Sequence, residues 1–150
     1  MGKYALVDDD MYEELNKYKW HYETEGYAAR SVTINGKRGC RTMHRFVLGD
    51  KEGYMIDHIN RIPLDNRKCN LRYCDKQGNI ANCFFSTNKS GYRGVYYRKA
   101  GRGNKRWVAQ LWHNNVNYRL GQYYTIEEAA RAYNKFAKKI LGEFAYLNAI

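Results

Sequence analysis

The sequence has no apolar run long enough to cross a bilayer. Its first ten residues, MGKYALVDDD, lack the basic region and apolar stretch of a signal peptide. Gly2 invites a reading as a myristoylation site, but Leu6 stands where Ser or Thr is wanted. A soluble, cytoplasmic protein without a membrane partner is therefore expected. Internal repeats and low-complexity tracts are also missing. Paired C-x2-C spacing is absent from the four cysteines, Cys40, Cys69, Cys74 and Cys83. They read as reduced thiols packing as small hydrophobes; a structural zinc drawing on nearby His44 and His58 is the less favoured alternative. Acidic residues are scarce in one region only. Residues 89–148 carry twelve Lys/Arg against three Asp/Glu, whereas residues 1–88 carry fourteen against twelve. Most of the net charge of +11 thus lies in the C-terminal part, as expected of a surface that meets a polyanion, nucleic acid above all.

What is present suffices for a core: 44% of the 150 residues are hydrophobic and 15% aromatic, which excludes disorder. The pattern divides the chain into an N-terminal extension (1–43), a central segment (44–85), a polar linker STNKS (86–90) and a C-terminal module (91–148). In the extension, residues 4–7 read as a strand, and Asp9 or Asp10 as the cap of a short helix. Residues 27–34 followed by Asn35-Gly36 read as a hairpin. In the central segment, MHRFVLG reads as a helix closed by Gly49, MIDHI and LRYC as strands joined by a turn-rich loop, and DKQGNIANCFF as a helix capped by Asp75.

Asp57-His58 is the chemically suggestive pair. Phosphodiester hydrolysis needs a proton acceptor for water and stabilisation of charge on the phosphate and the departing oxygen. Histidine titrates near neutrality, and carboxylate and amide oxygens suit a hard divalent cation. Adjacent strand residues point to opposite faces, so a joint site requires the twist of the strand end to bring them back together. The pattern D-H-I-N (57–60), L-D-N-R-x-x-N-L-R (64–72) and N-x-x-N (79–82) resembles the HNH endonucleases, most of all the phage and intron-encoded homing type in which the last His is Asn. The resemblance implies an α+β chain with a ββα-metal (His-Me finger) nuclease core. It implies His58 as general base, Asn70 as the Asn that braces the loop and orients it, and Asp57 and Asn79 as ligands of one divalent metal. His44, Asn60, Asn66, Arg72 and Asn82 take supporting places. Because Asn79 brings no charge, Mg2+ or Mn2+ held partly by the nucleic acid is expected rather than tight zinc.

In the C-terminal module, residues 106–113 alternate, 116–120 return after Asn114-Asn115, and 92–98 supply a third strand. Thr125-x-x-Glu128 is a capping box opening a helix whose apolar stripe runs from Ala129 to Leu141. The expectation is a three-stranded antiparallel sheet packed on one helix. Its outer face would carry Arg93, Arg98, Gln110, Trp112, Asn117 and Arg119, side chains able to reach base edges or phosphates. The signatures Y-R-G-V, R-W-V-A-Q-L, R-L-G and T-x-E-E-A-A-R-A-Y, with a closing L-N, resemble the Apetala/ethylene-response-factor (ERF) DNA-binding domain, which implies that those six residues face double-stranded DNA. Tyr96, Trp112 and Asn117 stand where the plant domains are basic, so base preference does not carry over.

Together these readings lead to the expectation of a phage-type, metal-dependent DNA endonuclease acting in a bacterial or phage-infected cell. One centre per chain would nick one strand as a monomer; a homodimer could cut both. The alternatives are a catalytically inactive DNA-binding regulator and RNA binding through stacked tyrosines.

Overall fold

The computed structural model describes residues 2–83, 88–99 and 106–150. The expected end of the central segment at 84–85 and the linker positions 86–87 lie outside the described residues. The architecture is mixed α and β with antiparallel sheets, in two compact units, Met1–Lys76 and Gln77–Ile150.

The first unit opens with α1 (Asp9–Asn16), whose N-cap is Asp8 rather than Asp9 or Asp10. Those two carboxylates instead occupy the first turn, where the helix dipole favours negative charge. The Asp8 side chain makes no cap bond; its Oδ2 accepts the backbone N–H of Lys68 at 2.6 Å. Strands β1 (His21–Tyr22), β2 (Ala28–Ile34) and β3 (Lys37–Thr42) follow in antiparallel order. The β2–β3 turn is Asn35-Gly36, both at positive φ (52° and 75°), as a two-residue hairpin loop demands. Helix α2 (Met43–Leu48) stops at Gly49, φ 85°. Leu15, Ala28 and Met43 form the buried core, with Trp20, Phe46 and Leu64 packed around it.

Residues 4–7 do not form the expected strand. Their partner is a loop, not an extended edge, so pairing reduces to one parallel bridge, Leu6 with Asp65. Two backbone bonds secure it: Leu6 N–H to Leu64 O and Asn66 N–H to Leu6 O, both 2.8 Å. Strands β4 (Met55–His58) and β5 (Leu71–Cys74) pair antiparallel, with Asp57 opposite Arg72 and His58 opposite Leu71. Tyr73 Oη ties β5 to α2 by donating to Leu48 O at 2.6 Å.

The second unit holds nearly all of α3 (Lys76–Asn82) and an antiparallel sheet of β6 (Val95–Tyr97), β7 (Trp107–His113) and β8 (Val116–Tyr123), packed on α4 (Ile126–Leu141). The third strand is shorter than the 92–98 expected because Gly94 breaks it at φ 71°. A Cβ there would stand 2.2 Å from Tyr133 and 2.4 Å from Gln110 O, so only glycine lets α4 approach this closely. Strand β8 runs past the expected 116–120 through a bulge. Ala109 pairs with Gly121 but Gln110 pairs with Arg119, which leaves Leu120 unpaired. The slip turns Tyr118, Leu120 and Tyr123 all toward α4 despite their spacing. The capping box forms as expected: Thr125 Oγ1 accepts Glu128 N–H at 3.2 Å, and Glu128 Oε2 accepts Thr125 N–H at 3.3 Å. The buried Asn148 side chain closes the unit by exchanging bonds with the backbone of Arg93 (2.7 and 3.1 Å), while the Asn134 side chain clamps the Asn148 backbone. No helix among the described residues is long and apolar enough to cross a membrane.

Candidate active site

The β4–β5 pair and the loop joining it gather seven of the expected residues in the first unit: His44, Asp57, His58, Asn60, Asn66, Asn70 and Arg72. Pleating sends Asp57 and His58 to separate partners. Asp57 is 7% exposed, and its Oδ2 accepts both Nε (2.9 Å) and Nη2 (2.8 Å) of Arg72 on the facing strand. His58, also buried, puts Nε2 3.4 Å from Asn66 Oδ1. Its ring lies against those of His44 and Tyr27, at centroid distances of 5.2 and 5.9 Å.

Burial lowers the His58 pKa below its ordinary value; the Asn66 bond and the Asp57 and Asp65 carboxylates oppose that without cancelling it. The imidazole is therefore neutral at neutral pH and able to accept a proton. Burial also takes His44 down to about 4, with the neighbouring His58 adding to the effect. Thr42 Oγ1 lies 3.1 Å from His44 Nε2.

The loop is held by amides. Asn70 Oδ1 accepts Asn60 N–H (3.0 Å), and Asn70 Nδ2 donates to Asn60 Oδ1 (3.0 Å) and Asp65 O (2.8 Å). Asn60 Nδ2 donates to Asp65 Oδ2 at 2.7 Å. Asp65 and Arg67, to which no role was assigned from the sequence, complete the brace. Arg67 Nε and Nη2 donate to the two Asp65 oxygens at 2.8 and 2.7 Å. That contact outweighs burial and holds the Asp65 carboxyl at about 2. The signal was present as a carboxylate two residues before an Arg, but such spacing is common on any surface. Tyr27 went unnoticed because it reads simply as a strand residue.

No protein-family model matches the chain. Over 155 residues it is 30% identical to an uncharacterized HNH endonuclease of Acanthamoeba polyphaga mimivirus, a match covering 99% of this chain and 76% of that relative. The chain belongs to the HNH endonuclease family. A similar solved structure describes DNA binding and cleavage by the HNH homing endonuclease I-HmuI. It is 27% identical over 43% of this chain, with a TM-score of 0.38, and the chain spans 40% of that protein's length.

The remaining expected residues of this HNH endonuclease lie in the second unit. Asn79 and Asn82 stand on α3, with Asn82 buried. On the β6–β8 sheet, the face away from α4 carries exposed Arg98, Trp112 (65% exposed) and Arg119, with half-buried Gln110 and Asn117 bonded to each other at 3.3 Å. Val108 shares that face but is buried, between its register partners Tyr96 and Gln122 in the central strand. Arg93 is engaged elsewhere: its guanidinium donates to the carbonyls of Ala81 (2.7 Å), Cys83 (2.8 Å) and Ile80 (3.2 Å) at the end of α3. A cation there complements the negative end of a helix. Among the described residues, the four cysteines do not gather with His44 or His58 into a metal-ligating group.

Proposed function

We propose that this HNH endonuclease is a metal-dependent DNA endonuclease of the homing or phage type, which hydrolyses phosphodiester bonds and nicks one strand. The observation that carries the proposal is His58: a buried, neutral imidazole held by Asn66 within a loop braced by Asn60, Asp65 and Asn70. With Asn66 Oδ1 accepting from Nε2, the lone pair is on Nδ1, which takes the proton from the attacking water. Asn70 acts through Asn60 and Asp65 by keeping the loop that carries Asn66 in place. Asp57 and Asn79, the residues the resemblance implies for the metal, each offer oxygen as the ligand atom, which suits Mg2+ or Mn2+ and not a soft metal. When bound, such a cation neutralises charge on the scissile phosphate and the departing oxygen. Arg72, already on the Asp57 carboxylate, keeps that group oriented. Double-stranded DNA is held by the β6–β8 face, where Arg98 and Arg119 meet phosphate or guanine, Gln110 and Asn117 meet adenine, and Trp112 packs against the sugar–base edge. Arg93 donates to the carbonyls at the end of α3.

A second reading is favoured by one observation: because Arg72 occupies the Asp57 oxygen, the protein could bind DNA without cutting it. Supercoiled plasmid or genomic DNA carrying the target, incubated with Mg2+ or Mn2+, separates the two. Nicking by the wild type, abolished by EDTA and by His58→Ala, supports the endonuclease. Equal DNA affinity with no cleavage by either form supports the regulator.

A further inference from the structure

Away from the β4–β5 site, the three-stranded sheet of the first unit brings together an imidazole, a carboxylate and a thiol. His21 lies on edge strand β1, Glu23 just beyond its end, and Cys40 on β3 at the opposite edge. The register puts all three on one face. His21 is opposite Ala29, Cys40 is opposite Ser31, and Glu23 N–H bonds Tyr27 O, so their β2 neighbours are spaced two apart. Between the two edges, Ala29 and Ser31 are small enough to let the side chains meet. His21 Nε2 lies 2.8 Å from Glu23 Oε1, and Cys40 Sγ donates to the same oxygen at 3.5 Å. The three ligand atoms all lie within 4.8 Å of one another. Ligands around a tetrahedral zinc sit roughly 3.3–3.8 Å apart, so closing this group on an ion requires only small rotations.

We propose that His21, Glu23 and Cys40 form a binding site for a borderline-soft divalent ion of the zinc class. Nitrogen, oxygen and sulfur donors in one group suit zinc or cobalt and are wrong for magnesium, which takes oxygen alone. This is chemistry that the oxygen donors Asp57 and Asn79 do not offer. Three protein ligands leave a fourth position for water or an external donor. On binding, the Cys40 thiol loses its proton to solvent as the sulfur–metal bond forms. The ion would join the short strand β1 to β3 across the sheet. That strand has only two residues, so it has few ladder bonds of its own to hold it.

Cobalt(II) titration of the full, reduced chain tests the site. One equivalent is expected to produce a thiolate-to-cobalt charge-transfer band in the near ultraviolet, with d–d bands of tetrahedral intensity that zinc then abolishes. The band should vanish in Cys40→Ser and persist in Cys69→Ser, whose thiol is likewise exposed. His21→Ala should weaken binding by more than the roughly tenfold that loss of even an outer-shell partner costs. Zinc should raise the melting temperature of the wild type and leave that of Cys40→Ser unmoved. Absence of the band, or its survival in Cys40→Ser, overturns the proposal. Because the readout is a thiolate signal, it stands or falls independently of DNA cleavage.

Discussion

Gly91 and Gly94 offer a matched pair for testing how the C-terminal sheet is held on its helix. Both adopt left-handed backbone, φ 74° and 71°, three residues apart in one unit. An alanine in that region costs about 1–2 kcal/mol from backbone strain alone. At Gly91 nothing lies within 4 Å of the added Cβ, so Gly91→Ala should lose only that. At Gly94 the methyl would meet Tyr133 Cδ2 at 2.2 Å, Cε2 at 2.3 Å and Gln110 O at 2.4 Å. Tyr133 is 2% exposed, and the Gln110 carbonyl is backbone of the central strand, so neither can simply turn away. Overpacking adds about 1–3 kcal/mol, for a total of about 2–5 kcal/mol in Gly94→Ala. A unit of this size loses about 4–8 °C of Tm per kcal/mol, so the two variants should separate by several degrees. Near-ultraviolet circular dichroism, to which Trp107 and Trp112 of this unit contribute, follows the melt. Equal losses would refute the claim that close packing, rather than φ alone, demands glycine at position 94.

Arg72→Ala should destabilise the first unit by about 3–5 kcal/mol in urea titrations with EDTA present, because it removes the guanidinium that faces the buried Asp57 carboxylate. Thr125→Ala should cost about 1 kcal/mol, read as a lower urea midpoint, through loss of the α4 cap. Stability should fall on acidification. The His44 pKa is depressed from 6.5 to about 4, so its contribution of about 3 kcal/mol is present above pH 6.5 and lost as pH drops toward 4. Asp65, depressed from 3.8 to about 2, extends the loss below pH 4; a flat urea midpoint between pH 7 and 3 would contradict both assignments. With His58 as the proposed base, its depressed pKa places the acid limb of the DNA-cleavage pH–rate profile below pH 6.5, and a limb above that value would exclude that role.

Where local chemistry decides the structure, the sequence was readable. Asn35-Gly36 makes its turn, Thr125-x-x-Glu128 makes its capping box, and the Asp57-His58 strand pairs with the strand ending at Cys74. Features set by partners distant in the chain were not. Asp8 stands at the N-cap of α1 without a side-chain cap bond, because Lys68, sixty residues on, draws the Asp8 carboxylate away. The Leu120 bulge conceals which β8 residues face inward, since strict alternation breaks at an insertion no composition signals. The three carbonyls that Arg93 meets were likewise illegible, because an arginine before a glycine on a basic module carries no mark of them. Asp65, the single carboxylate of the loop, was hidden among turn formers although it is buried.

The bridge from Leu6 to Leu64 and Asn66, with the Asp8–Lys68 bond beside it, has a practical consequence for anyone wishing to isolate the histidine centre. A fragment starting at residue 44, where the central segment begins, would leave Leu64 O, Asn66 N–H and Lys68 N–H seeking water instead of protein. The amide that steers His58 would then hang on a loop released at one side. The first ten residues belong to the working unit as much as the motif does, and a minimal version of this nuclease has to keep them.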